Sequence, residues 1–379
     1  MALNVQALTS IDNLQESIGG LRADVERGFD EAKARGKLFF LSVMDSTISL
    51  IILTDLLKNL NHVRQSQGDD ETFCLPNTRT ELLRAIHSWI DTKSEGNLFW
   101  LSAIAGWGKT TVSATIRNQY VDAKPNIRQR GAWFFCNRDN KPEGSANLGR
   151  IIPTIAYQLT HAFPGIKAAL VERLDTNQDI MSLNIENQVR QLISEPLQTL
   201  IAPVSGPIVC IIDGLDACTD ASEASLRAFF KCVNGSIVPL PPWLKFLVTS
   251  RPMEFVGDQQ SALKYRNIDI NHPDNRADVE TYIEHRLDST QKKRNLITWP
   301  KEKFIKDIDE RTGGLFRSAQ TVLDFLDRNS NDDVVVLLGY LFKARRGNSP
   351  SESLRLLYSR IVFWEPSNDD DDNRRAQRS

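Results

Sequence analysis

Residues 98 to 111 read Leu-Phe-Trp-Leu-Ser-Ala-Ile-Ala-Gly-Trp-Gly-Lys-Thr-Thr. An apolar run breaks off, Gly106 and Gly108 follow, then Lys109, Thr110 and Thr111, and the segment from Val112 to Tyr120 has helical character. Strand, glycine turn and helix in that order make a phosphate-binding loop. The glycines let backbone N–H groups curl round an anion, and the helix N-terminus adds a favourable dipole. Lysine reaches the β- and γ-phosphates and a hydroxyl binds Mg²⁺. The first glycine position of the pattern is Ala103, which is inexpensive at negative φ and strained at positive φ. Trp107 places a large side chain where small residues are usual.

About a hundred residues on, 207 to 218 read Pro-Ile-Val-Cys-Ile-Ile-Asp-Gly-Leu-Asp-Ala-Cys. Ile208 to Ile212 suit a strand buried on both faces. Asp213 closes it at the sheet edge where α/β ligand sites form, as the aspartate expected to share Mg²⁺ with the loop hydroxyl. Asp216 lies three residues further on. Read alone, each half has an ordinary alternative, a chance Gly-Lys-Thr turn or a strand ending in an Asp-Gly turn. In this order and spacing they read together as a nucleotide site. A third strand, Trp243 to Val248, runs into Thr249-Ser-Arg-Pro252, and Arg251 at such an end suits a γ-phosphate because its fork matches phosphate oxygens.

Around these segments, strands at Gly131 to Cys136 and Tyr265 to Ile270 alternate with helices at Leu148 to Phe163, Ile166 to Leu174, Ile185 to Leu200 and Glu223 to Val233. The alternation predicts an α/β fold, a P-loop NTPase with a parallel sheet sandwiched by helices. A C-terminal helical subdomain follows, with helices at Asn275 to Leu287, Lys301 to Arg311, Leu315 to Leu326, Val334 to Phe342 and Ser353 to Phe363. An N-terminal helical region precedes the core. Ile11, Ile18 and Val25 recur every seven residues with Leu14 and Leu21 between them, which predicts a helix with an apolar seam that either packs on Leu38 to Leu60 as a hairpin or self-associates. The expected organisation is thus an N-terminal helical region over 1–64, a linker and lead-in helix over 65–96, the NTPase core over 97–271, the helical subdomain over 272–363 and a disordered tail over 364–379.

With 379 residues, 41% hydrophobic and 25% charged, the chain is long enough for two or three domains and ordinary enough to bury a core. A net charge of −2 gives no reason to expect nucleic acid. The five cysteines form no C-x-x-C pair and read as reduced thiols of an intracellular protein. No H-E-x-x-H pattern suggests zinc. The start lacks a basic n-region and a long apolar core, and Asp45 and Asp55 interrupt the apolar stretch 38–60, so neither a signal peptide nor a membrane span is expected.

Several segments match one family in order: Cys74-x-Pro-x-Thr-Arg79, Phe99-Trp-Leu-Ser before Gly106-x-Gly-Lys-Thr, Phe134-Phe-Cys-x-Arg138, Ile152-Pro-Thr-Ile-Ala-Tyr-Gln-Leu159, Ile211-Ile-Asp-Gly-Leu-Asp216, Thr249-Ser-Arg-Pro252 and Gly313-Gly-Leu-Phe316. Over roughly residues 72 to 362 the chain resembles the NACHT NTPases of the STAND class, in the form common in filamentous fungi and often carrying a nephrocystin-like N-terminal region. The resemblance implies an intracellular, NOD-like signalling switch. In it Lys109 binds the β- and γ-phosphates, Thr110 and Asp213 hold Mg²⁺, Arg251 senses the γ-phosphate and Arg79 sits near base or ribose. The cofactors are Mg²⁺ with ATP or GTP. The triphosphate form homo-oligomerises, and protein partners engage the N-terminal helices. Ala217 stands where the family has a glutamate that helps activate water, so hydrolysis by Asp213, Asp216 and Arg251 is expected to be weak. The other reading is a non-catalytic scaffold whose nucleotide site has decayed. The winged-helix and repeat regions of longer relatives are not legible after Phe363.

Overall fold

The computed structural model describes residues 60, 62–63, 73–122, 131–176, 183–199, 206–253, 264–267, 273–294, 300–329, 333–343 and 350–363. The expected helices over 3–34 and 38–60 (Leu60 apart), the linker over 65–71 and the tail over 364–379 lie outside those residues.

Among the described residues five strands form one sheet: β1 (Leu98–Ser102), β2 (Gly131–Phe135), β3 (Ile208–Asp213), β4 (Leu244–Ser250) and β5 (Lys264–Asn267). Their order is β2-β3-β4-β1-β5, and every neighbouring pair is parallel. All residues of β1, β3 and β4 are buried, as a sheet covered on both faces requires. The register places Ser102 opposite both Ser250 and Asn267, and Phe135 opposite Asp213. The strands therefore end level, and the segments after them gather at one edge, with β1 separated from β3 by β4.

On one face, Leu82, Ile86, Trp89 and Ile90 of α1 (Thr80–Asp91) and Val112 and Ile116 of α2 (Lys109–Ile116) join Phe99, Leu101, Val209, Ile211 and Leu247 in one core cluster. The α1 positions fall at i, i+4, i+7 and i+8, one helical stripe. Lys245 of β4 is fully buried, and its Nζ donates to Thr92 O and Gly96 O, both at 2.8 Å. Beyond the edge strand β2, α3 (Ile151–Ala162) supplies Gln158, whose amide accepts from Trp133 N at 2.8 Å and donates to Trp133 O at 2.9 Å. A side chain thus closes backbone groups that an edge strand leaves open. Also on α3, Thr154 Oγ1 accepts from Val63 N at 3.0 Å and Tyr157 stacks on His62.

Further helices are α4 (Pro164–Thr176), α5 (Ile185–Val189), α6 (Glu195–Gln198) and α7 (Glu223–Val233). The single helix expected over 185–200 is divided: a π turn at Arg190–Ser194 joins α5 to α6. Pro196 is the reason, since it cannot donate to the helical ladder and its ring crowds the preceding turn. A second π turn, Arg117–Val121, ends the helix after the glycine loop, which itself begins at Lys109 rather than Val112.

The C-terminal helices are α8 (Pro273–Arg294), α9 (Lys301–Thr312), α10 (Phe316–Arg328), α11 (Val334–Phe342) and α12 (Pro350–Val362). They share their own core, built from Val279, Ile283 and Leu287 of α8, Ile308 of α9, Val322 and Leu326 of α10, Leu337 and Leu341 of α11 and Leu357 of α12. Among the described residues no helix is long and apolar enough to cross a membrane.

Candidate functional site

The glycine loop leaves β1 at Ser102, and Ala103 N donates to Ser250 O at 3.2 Å, tying the loop's root to β4. Gly106 (φ 80°) and Gly108 (φ 101°) occupy the left-handed region that β-carbon-bearing residues avoid. Ala103 is not among the non-glycine residues with positive φ. Its methyl group is fully buried in the core cluster, so the departure at this position leaves the backbone unstrained. Trp107 is 1% exposed and lies in that same cluster with Leu82, Ile86 and Val112. A large side chain is accommodated in the loop because it turns into the core under α1. Lys109 Nζ donates to Ala103 O at 2.8 Å and Ile104 O at 3.0 Å, which holds the ammonium across the loop mouth. Burial lowers the Lys109 pKa; Asp216 and Asp213 oppose that and Arg251 adds to it.

Asp213 ends β3 with only 5% exposure. A buried carboxylate needs donors, and three hydroxyls provide them, each at 2.7 Å: Thr110 Oγ1 on Oδ2, with Ser113 Oγ and Thr249 Oγ1 on Oδ1. Thr249 Oγ1 in turn accepts from Gly214 N at 3.0 Å. The convergence of Thr110 and Asp213 gives hard oxygen donors of the kind Mg²⁺ takes, so these residues fit that ion. Thr111 lies one residue outside this cage and lines the neighbouring cavity.

Asp216 sits in the short 3₁₀ turn Leu215–Ala217, between two arginines. Arg251 Nε lies 3.1 Å from Oδ2 and its backbone N donates to Oδ1 at 3.0 Å; Arg138 Nη2 donates to Oδ2 at 3.1 Å. Arg251 is therefore folded onto Asp216 in this state. Just outside that pair, Cys218 Sγ donates to Cys136 Sγ at 3.7 Å. That contact and then burial raise the Cys136 thiol well above its ordinary pKa.

Arg79 precedes α1 in the left-handed conformation (φ 57°). Its N and Nη1 donate to Asp278 Oδ2 at 3.0 and 3.3 Å, and its Nη2 donates to Trp107 O at 2.8 Å. The guanidinium lies between two rings, 3.6 Å from the Trp107 centroid and 4.6 Å from that of Phe316. Burial pulls Arg79 down to about 10 against the opposing pull of Asp278, and burial likewise raises Asp278. The segment before α1, the glycine loop and the C-terminal helices meet here. Arg317 N also donates to Gly106 O at 3.1 Å. Beside them a cavity of about 280 Å³ is lined by Phe73, Leu75, Gly108, His285, Phe316 and Gln320, among others.

The structure thus brings Lys109, Thr110, Asp213, Asp216 and Arg251 to one edge of the sheet, with Arg79 on the far side of the loop. Sequence reading gave Ser113 and Asp278 no part in this arrangement, and it placed Thr249 and Phe316 only within the segments Thr249-Ser-Arg-Pro252 and Gly313-Gly-Leu-Phe316. Ser113 carried a signal, three residues after Thr110 on the same helical face. Asp278 carried none, being 199 residues from Arg79.

A family model described as nephrocystin 3, N-terminal, matches residues 77–251. No curated protein sequence matches the chain. Among solved structures, the chain is similar to a Walker-type ATPase of Pyrococcus abyssi, with 13% identity and a TM-score of 0.43 over 82% of this chain and 80% of that one. It is similar to the ORC2 protein of Aeropyrum pernix in its ADPNP–ADP complexes, with 13% identity and a TM-score of 0.41 over 80% and 72%. It is also similar to AMPPCP-bound DnaA from Aquifex aeolicus, with 10% identity and a TM-score of 0.33 over 78% and 92%. The parallel sheet with flanking helices and the glycine loop after β1 give the chain the α/β fold of a P-loop NTPase.

Proposed function

We propose that the chain is a nucleotide-dependent switch of the NACHT/STAND type, acting in intracellular signal transduction and binding Mg²⁺ with ATP or GTP. The observation that carries the reading is the 2.7 Å hydrogen bond from Thr110 Oγ1 to Asp213 Oδ2, which joins the loop hydroxyl to the strand-end carboxylate across 103 residues of sequence. The cavity beside Gly108 and Thr111 supports it, offering apolar walls from Leu75 and Phe316 with the polar edges of His285 and Gln320 for a base and ribose.

In this reading Lys109, which here donates to the Ala103 and Ile104 carbonyls, would hold the β- and γ-phosphates together with the loop N–H groups and the α2 N-terminus. Thr110 and Asp213 would hold Mg²⁺, which would supply neutralisation of phosphate charge. Arg251 would exchange Asp216 for the γ-phosphate, and Asp216, released from Arg251, would orient water. Ala217 supplies no second carboxylate, so hydrolysis is slower by a factor of about 10² to 10⁴ than with a complete general base. The N-terminal helices contact protein partners, and the triphosphate form assembles with itself.

The experiment follows phosphate release and assembly size in parallel on purified chain with Mg²⁺ and ATP or GTP, beside Lys109→Ala and Ala217→Glu. Slow release and larger assemblies, both abolished in Lys109→Ala, with release faster in Ala217→Glu, are expected. The scaffold alternative, which Ala217 favours, is indicated instead if neither nucleotide changes release or size relative to Lys109→Ala.

A further inference from the structure

We infer that Cys136 and Cys218 form an oxidation site, a dithiol that closes to a disulfide beside the nucleotide site. Among the described residues theirs is the sulfur–sulfur contact, at 3.7 Å, between residues 82 apart in sequence. A disulfide needs about 2.05 Å, so the sulfurs have to close by less than the length of that bond. Their positions are fixed by the sheet edge. Cys136 follows β2 directly and its N donates to Asp213 O at 2.8 Å; Cys218 ends the turn that carries Asp216, its N donating to Leu215 O at 3.1 Å. The two sulfurs differ in access, Cys136 being half-buried and Cys218 buried. That asymmetry in access sets their roles, and the raised Cys136 thiol makes the first oxidation step a slow one.

The oxidant is a hydroperoxide. It transfers one oxygen to Cys136, giving a sulfenic acid and releasing water or an alcohol. Cys218 then attacks the Cys136 sulfur, the S–S bond forms, and the sulfenic oxygen leaves as water with the remaining proton. Two electrons pass from the thiol pair to the peroxide, and a small dithiol reverses the change.

The consequence rests on the proposed nucleotide reading. Cys136 stands two residues before Arg138 and Cys218 two after Asp216, and those side chains are paired at 3.1 Å. A covalent bridge holds the two backbone segments together and keeps Asp216 in its pair with Arg138 and Arg251. It is thereby withheld from water.

The test treats the folded chain with stoichiometric hydrogen peroxide and maps its cysteines by alkylation and peptide mass, with Cys136→Ser and Cys218→Ser alongside. The expected result is a cross-linked Cys136–Cys218 peptide two hydrogen atoms lighter than the free pair. It is reversed by dithiothreitol and absent from both variants, and Cys74 (half-buried, with no sulfur contact among the described residues) stays alkylable. Oxidation of Cys136 to sulfinic acid with Cys218 still alkylable, or faster loss of Cys74, overturns the proposal. In the second arm, phosphate release by oxidised chain falls to the level of Asp216→Asn, whereas peroxide-treated Cys218→Ser keeps its rate. Unchanged release in cross-linked chain overturns the consequence for Asp216. Absence of release from reduced chain is a failure of the nucleotide reading and leaves the peptide result to decide the bridge.

Discussion

Asp213 is held at the sheet edge by three side-chain donors, and its support is made of neutral hydroxyls rather than cations. The choice has a physical consequence. Hydroxyl donors stabilise a buried carboxylate without cancelling its charge, so the charge stays available to a metal ion. Removing one donor leaves the others to compensate only in part. Thr249→Val deletes a hydrogen bond to Asp213 and also leaves Gly214 N without its acceptor, and the expected loss in urea-unfolding free energy is about 1–3 kcal/mol. Thr249→Ser keeps both bonds and is expected to lose markedly less.

The Arg79–Asp278 pair is of the opposite kind. Its side chains are 6% and 15% exposed, and burial disfavours both ions. The raised Asp278 pKa fixes a sign. The folded state binds the proton more tightly than the unfolded state, so this group's contribution is fully present below the ordinary value of 3.8 and is lost as pH rises through the raised value. Measured against Asp278→Asn across the acid range, the native chain is expected to lose relative stability as pH rises through that window. A relative gain with rising pH contradicts the assignment.

At the scale of elements, the sheet was legible because parallel strands covered on both faces leave long apolar runs, and the β3 and β4 segments stand out on that ground alone. Helix boundaries were less so. The π turns at Arg117–Val121 and Arg190–Ser194 preserve the apolar pattern while altering the backbone, and only Pro196 hinted at either. The position and backbone of the loop were legible at Gly106, Gly108, Lys109 and Thr110. The direction of Trp107 was not, because whether a tryptophan turns into a loop or into the core depends on the space under α1. Asp278 and Phe316 escaped for a related reason: local sequence does not say which face of a distant helix docks on the loop.

The loop's tightest constraint is likewise a contact between elements. A β-carbon at Gly106 meets Arg317 Cβ at 3.1 Å, in a backbone conformation of φ 80°. Gly106→Ala is therefore expected to cost about 1–2 kcal/mol from backbone conformation, with a further loss where α10 is pushed off the loop. Urea unfolding checks the stability, and faster hydrogen exchange of the Arg317 amide, which loses its Gly106 O acceptor, checks the displacement. Full retention of both contradicts the docking described.

Across the whole molecule, the sheet edge and the C-terminal helices hold the glycine loop from two sides. Asp213 and Lys109 lie on the sheet side, and Arg79, Asp278 and Arg317 fix the helices against the other. A ligand entering the loop and the adjacent cavity touches both sides at once, which is how local phosphate binding becomes a change in the relation between the NTPase core and its helical partner in the proposed switch. Everything in that proposal rests on the loop accepting a nucleotide. The direct test is titration of the purified chain with a fluorescent ATP or GTP analogue in Mg²⁺, with and without chelator, beside Lys109→Ala. Binding in the micromolar range (about −8 kcal/mol), weakened by chelator and lost in Lys109→Ala, is the expected result. A folded chain that binds neither analogue, or binds both equally well without Lys109, contradicts it.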